Sequence, residues 1–211
     1  MICQLKICGL VRREDVETCH DLGVEAIGIN LWRGSPRGLP LDEAAALVDG
    51  VRPGGPLRVG VLVDPSRDEL LIARARLGLD LVQLHGDAPI ARYAGLGVPY
   101  IWVIRGTPEL ATLTIPNPAP AWVLLDTRVP GFGGKGVPHD WAWVKRAVAH
   151  FAPLPVWLAG GIGPDNVLAA IDAVGPAGID VASGAEPPGA ARLGTKDRDR
   201  IAALRSACAG W

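Results

Sequence analysis

At 211 residues the chain is long enough for one sizeable core, and a single domain spanning 1–211 is expected. Hydrophobic residues make up 49% and charged residues 20%, a globular composition that excludes a disordered chain. The net charge is −1 with no basic cluster, so neither a nucleic-acid footprint nor a patch for anionic membranes is present.

In chain order, short apolar runs alternate with segments of helical period. Gln4 to Gly9 reads as a strand closed by a glycine, with Lys6 and Cys8 on one face and Leu5 and Ile7 on the other. Arg12 to Leu22 follows as a helix, with Val16, Cys19 and Leu22 on one face and Gly23 as its stop. Ala26 to Leu31 is the second strand, and Leu41 to Val51 the second helix. Leu57 to Val63 is the third strand. Ser66-Arg67-Asp68-Glu69 is a capping box that opens a helix ending at Gly78. Leu81 to His85 is the fourth strand, and Pro89 begins a brief helix. Tyr100 to Ile104 is the fifth strand, but Pro108, Pro116, Pro118 and Pro120 leave room after it for little more than one turn. Trp122 to Asp126 is the sixth strand, followed by a glycine-rich loop and a helix from Trp141 to His150. Val156 to Ala159 is the seventh. Gly163-Pro164-Asp165-Asn166 then starts a helix packed through Val167, Ala170, Ile171 and Val174. Gly178 to Ala182 is the eighth strand, and Lys196 to Cys208 the last helix.

Strands each followed by a crossover imply a parallel sheet. Eight such units within 211 residues predict an α/β fold, a (β/α)8 TIM barrel whose helix after strand five is weak or missing. A doubly wound open sheet is the alternative. It is weakened because only Gly9 follows the first strand, where a dinucleotide fold places several glycines.

A barrel gathers the carboxyl ends of its strands on one face. Those ends carry Cys8, Arg37 in the loop after strand two, Asp64, His85, Asp126, Gly160-Gly161 and Ser183-Gly184. Glycine turns after strands seven and eight let backbone N–H groups approach a phosphate. Asp126 ends an apolar strand, so its carboxylate faces the mouth or is desolvated, and desolvation would let it hold a proton and act as an acid. Cys8 would be the opposing base, with Lys6 to draw its thiol toward thiolate. His85 shares a face with Gln83 and reads as a hydrogen-bonding wall residue, because no second histidine lies at ligand spacing and no metal site is indicated. His20, His139 and His150 read as surface or helix positions. The tryptophans read as packing, except Trp32, which shares a loop with Arg37. Cys3, Cys8, Cys19 and Cys208 show neither metal spacing nor scaffold density, and no run approaches the roughly 20 apolar residues of a membrane span, so a cytoplasmic protein is expected.

Together Lys6-Ile7-Cys8-Gly9-Leu10, Ser35-Pro36-Arg37, Val82-Gln83-Leu84-His85-Gly86, Leu125-Asp126, Gly133-Gly134 with Asp140-Trp141, Leu158-Ala159-Gly160-Gly161-Ile162, and Ser183-Gly184 with Lys196-Asp197 resemble the phosphoribosylanthranilate isomerase family of tryptophan biosynthesis. The resemblance covers nearly the whole chain. It implies an Amadori rearrangement of N-(5-phosphoribosyl)anthranilate, a small phosphorylated sugar substrate, without cofactor or metal. Asp126 would be the acid and Cys8 the base. Arg37 would hold the anthranilate end and Asp180 the ribose hydroxyls. His85 would line the wall, and Gly160, Gly161, Ser183 and Gly184 would hold the phosphate. The chain departs from the pattern at Asn30, Leu31, Trp32, Lys135 and His139, and its segment from Glu186 to Thr195 looks long. Two other readings stay open. One is a diverged barrel isomerising a related phosphorylated aminosugar; the other is a non-catalytic phosphate-ligand sensor, against which the acid–base pair speaks. The sequence leaves the oligomeric state open.

Overall fold

A computed structural model describes residues 3–49, 54–126 and 140–210. Eight parallel strands pair in sequence order, and the last closes on the first. They are β1 Gln4–Cys8, β2 Ala26–Asn30, β3 Leu57–Val63, β4 Leu81–His85, β5 Tyr100–Arg105, β6 Trp122–Asp126, β7 Val156–Ala159 and β8 Gly178–Val181. This is the expected (β/α)8 TIM barrel.

Helices α1 Arg13–Asp21, α2 Leu41–Val48, α3 Arg67–Leu77, α4 Trp141–Phe151, α5 Val167–Val174 and α6 Arg198–Ala209 lie between and after the strands. The capping box opens α3 as predicted: Ser66 Oγ accepts from the Glu69 amide at 3.2 Å, and Glu69 Oε2 accepts from the Ser66 amide at 2.7 Å. Gly78 ends the helix at φ 58°, a left-handed conformation that a side chain would disfavour. β4 and β5 are followed only by single 3-10 turns, Ile90–Tyr93 and Leu110–Thr112. The prolines around them lack the N–H that a longer helix needs.

Several boundaries move. β5 runs one residue further, to Arg105, and α6 starts at Arg198 because Asp197 caps it by accepting from the Arg200 amide. α2 ends at Val48, short of the expected Val51, because Asp49 turns extended at ψ 132°; Gly50 and Val51 lie outside the described residues.

Alternation along each strand sends one set of side chains outward and the other inward. The outward set, including Leu5, Ile7, Ile27, Leu125 and Ile179, meets Val16, Leu70, Phe151, Ile171 and Leu204 of the helices in the larger core. The inward set divides along the barrel axis. Toward the amino ends of the strands, Ala26, Val59, Leu81, Ile101, Trp122 and Trp157 form a separate apolar plug. The rings of Trp122 and Trp157 stack with centroids 4.5 Å apart. Gly178, beside Trp157 in the ladder, makes room for that ring, since a side chain there would collide with it. Toward the carboxyl ends the inward side chains turn polar.

Candidate active site

The residues that alternate inward at the strand ends are Cys8 on β1, Asn30 on β2, His85 on β4, Arg105 on β5, Asp126 on β6 and Asp180 on β8. With the loops that follow, they line one cavity of about 600 Å³. That volume suits a small ligand. Leu124, Val61 and Ala159 form its apolar floor. Cys8, Arg37, His85, Asp126, Gly160, Gly161, Asp180 and Ser183, separated widely in sequence, all reach this opening. Gly184 sits behind the wall instead. A side chain on it would collide with the Ile162 carbonyl oxygen, so glycine there lets the β7 and β8 turns touch.

Both turns are stiffened by their own sequence. Gly160 and Gly161 take φ 100° and 64°, open to glycine at little cost. Asn166 ties the turn to the start of α5: its Nδ2 donates to the Gly161 carbonyl at 3.0 Å, and its Oδ1 accepts from the Gly163 amide at 2.8 Å. After β8, Ser183–Ala185 forms a 3-10 turn closed by the Glu186 amide donating to the Ser183 carbonyl at 3.0 Å.

Lys6 lies one inward position below Cys8. Its ammonium is 1% exposed and pairs with Asp180 Oδ1 at 2.9 Å. Burial lowers the Lys6 pKa, but Asp180 and Cys8 together more than offset this, so the ammonium is held charged. Lys6 acts on Cys8 in the expected direction, without deciding the net shift. Lys6 does pull the thiol toward thiolate, but burial acts in the opposite direction and outweighs it, so the net shift is upward. Gly28, opposite Cys8 in the ladder, has no room for a side chain beside the sulfur.

Asp126 is half-buried at the end of β6. His85 feels its charge, yet burial pushes the imidazole pKa down and leaves the ring neutral. Gln83, on the same inward face as predicted, places Nε2 2.8 Å from His85 Nε2. With Gln83 Nε2 as donor, the imidazole accepts there and carries its proton on Nδ1. Asp64, at φ 45°, accepts from the Ala88 amide at 2.7 Å and so pins the loop after His85.

Three charged groups, Arg105 at the mouth and Glu186 and Lys196 buried behind it, escape the sequence reading. Arg105 was cut off by ending β5 one residue early; alternation from Ile101 through Val103 would have placed it inward. It pairs with Asp87. Glu186 and Lys196 form a buried ion pair at 3.1 Å, and Glu186 also holds Arg37 at 2.5 Å. No local pattern announces that partnership. Trp32 is 49% exposed on the rim, as its loop suggested, while Trp122, Trp143 and Trp157 are packed. His20 is half-buried on α1 and His150 exposed on α4. Gly133, Gly134, Lys135 and His139 lie outside the described residues. Among the described residues, no group of three or more His, Cys, Asp and Glu could hold a metal ion, and no helix is long and apolar enough to cross a membrane.

Comparison with known proteins places the chain in a family and matches its fold. The family described as N-(5'phosphoribosyl)anthranilate (PRA) isomerase matches residues 5–206. An N-(5'-phosphoribosyl)anthranilate isomerase of Myxococcus xanthus is 39% identical over 97% of this chain and 95% of its own length. The crystal structure of phosphoribosyl anthranilate isomerase from Thermotoga maritima superposes with a TM-score of 0.84 at 30% identity, covering all of both chains. Another such isomerase, crystallised with reduced 1-(o-carboxyphenylamino)-1-deoxyribulose 5-phosphate, gives a TM-score of 0.81 at 28% identity, again with 100% of each chain covered.

Proposed function

The chain belongs to the N-(5'-phosphoribosyl)anthranilate isomerase family of tryptophan biosynthesis, and we propose that Cys8 and Asp126 carry out its proton transfers across the barrel mouth. The substrate is N-(5-phosphoribosyl)anthranilate. Its phosphate sits on the backbone of Gly160, Gly161 and Ser183, with Gly184 allowing the two turns to close on it. Arg37 faces the anthranilate carboxylate, Asp180 the ribose hydroxyls, and His85 the wall.

Asp126 donates its proton to the furanose ring oxygen. The C1–O bond breaks as the nitrogen lone pair forms the C1=N bond of a Schiff base. Cys8 thiolate then takes the proton from C2, and the electrons of that C–H bond make the C1=C2 bond of an enolamine while the iminium nitrogen becomes neutral. Loss of the C2 hydroxyl proton and protonation at C1 give 1-(2-carboxyphenylamino)-1-deoxyribulose 5-phosphate. Burial makes thiolate scarce at Cys8, but the thiolate that forms is correspondingly basic. Neutral His85 adds no competing cation beside the acid.

The observation that carries this reading is that a thiol and a carboxyl group share one opening with two glycine-built turns. The family relationship supplies the substrate, and the cysteines and pathway fit a cytoplasmic enzyme. The test is to supply the purified chain with N-(5-phosphoribosyl)anthranilate and follow its fluorescence, alongside complementation of a tryptophan auxotroph lacking this step. Turnover and growth are expected; a folded protein inert in both assays overturns the reading.

A further inference from the structure

The segment between β8 and α6, long in the sequence, is fastened at both ends by buried charge. One carboxylate, that of Glu186, collects donors from three directions. Its Oε1 accepts from Arg37 Nε at 2.5 Å, Lys196 Nζ at 3.1 Å and the Gly194 amide at 3.0 Å, and its Oε2 accepts from Arg37 Nη2 at 2.9 Å. The Glu186 and Lys196 side chains are 4% and 0% exposed. Lys196 Nζ also donates to the Ala182 carbonyl at 3.0 Å. Its backbone is held against the start of α1, where the Lys196 amide donates to Asp15 Oδ2 and Arg12 Nη2 donates to the Lys196 carbonyl, both at 3.0 Å. The Arg37 stem crosses the turn after Cys8 so closely that a Cβ on Gly9 would lie 2.6 Å from Arg37 Cδ.

An arginine fork on a carboxylate fixes the plane of the guanidinium as well as its position. Arg37 therefore stands at the mouth in one orientation although it arises from a loop.

We propose that Glu186 is a positioning residue, a buried carboxylate that orients Arg37 toward the substrate's carboxylate and at the same time holds the Lys196 ammonium near Cys8. This rests on the isomerase reading above, in which Arg37 and Cys8 both act. Two cations share one anion, and of the three groups Arg37 is the one that lines the cavity. The Glu186 carboxyl is pushed up by burial but held lower overall by Arg37 and Lys196. The charges facing the Cys8 thiol come from four directions: Lys6 on its own strand, Asp180 on β8, Lys196 at the end of the segment, and Arg37 from the loop after β2.

Glu186→Gln tests this with little change of shape. With its oxygen at the Oε1 position, glutamine still accepts from Lys196, Gly194 and Arg37 Nε but sets an amide nitrogen against Arg37 Nη2, which breaks the fork. Arg37 then has to be ordered by the substrate, and KM rises roughly tenfold with kcat little changed, the scale of immobilising one long side chain. Removing the carboxylate also shifts the pH profile for alkylation of Cys8 by iodoacetamide, read by mass spectrometry of the Cys8 peptide, because Lys196 acts on Cys8 and Glu186 acts on Lys196. A variant that only melts earlier, with KM and alkylation profile unchanged, overturns the proposal. If Glu186→Gln does not stay folded, Lys196→Gln leaves the Arg37 fork in place. It should move alkylation to higher pH with KM near wild type, and no movement or movement the other way rejects the proposal. Alkylation needs no turnover, so this outcome is separable from failure of the isomerase reading.

Discussion

The two ends of the barrel interior are built from the same strands on the same face, yet they share almost no chemistry. The lower end is filled by Trp122 stacked on Trp157, with Ile101, Leu81, Val59 and Ala26 around them. The upper end carries Gln83, His85 and Asp126 of those strands, joined by Cys8 of β1 and Asp180 of β8. Two inward steps up β6, from Trp122 past Leu124 to Asp126, cross from plug to mouth. The lower end gains from excluding water and the upper end keeps polar groups that a ligand can meet, so stability and reaction are assigned to opposite ends. The Lys6–Asp180 pair lies at the border, where a buried lysine is tolerable only because its partner is buried with it.

The division can be broken from either side. The largest effect is expected at the mouth. Cys8→Ala and Asp126→Asn should each lower kcat by about 10²–10⁴. Ligand affinity and thermal unfolding should stay near wild type, because neither side chain supports the plug; near-normal turnover in either variant would falsify the assigned roles. At the other end, Trp157→Ala should cost about 3–5 kcal/mol of stability in denaturant unfolding while kcat per folded molecule is kept. A lost kcat with unchanged stability would erase the distinction between the two ends. The smallest effect sharpens the upper boundary. Trp32 on the rim is half exposed, and Trp32→Ala should raise KM by no more than about fivefold, near 1 kcal/mol, without touching kcat.

The sequence made the scaffold legible because its signals are local. Short apolar runs gave the strands, Ser66 with Glu69 gave the start of α3, and the prolines after β5 gave the missing helix. It also made half of the mouth legible, since a barrel turns strand order into spatial convergence: Cys8, His85 and Asp126 needed only to end their strands. Arg105 was within reach of the same alternation and was lost to a boundary one residue short. Glu186 was not within reach. Its partners Arg37 and Lys196 come from different loops, and nothing in their spacing tells a buried ion-pair hub from a solvated glutamate. The balance at Cys8 was hidden for a related reason. The sequence shows Lys6 nearby, but not how deeply the thiol would be buried or that Lys6 would be paired with Asp180.

The central claim is that a thiol and a carboxyl group work from opposite sides of one sugar phosphate. A crystal structure of this chain with the reduced product analogue tests it most directly. The account predicts Cys8 Sγ facing C2, Asp126 on the other side of the sugar, and the phosphate on the amides of Gly160, Gly161 and Ser183. A ligand seated with its phosphate elsewhere, or with C2 turned away from Cys8, would contradict it.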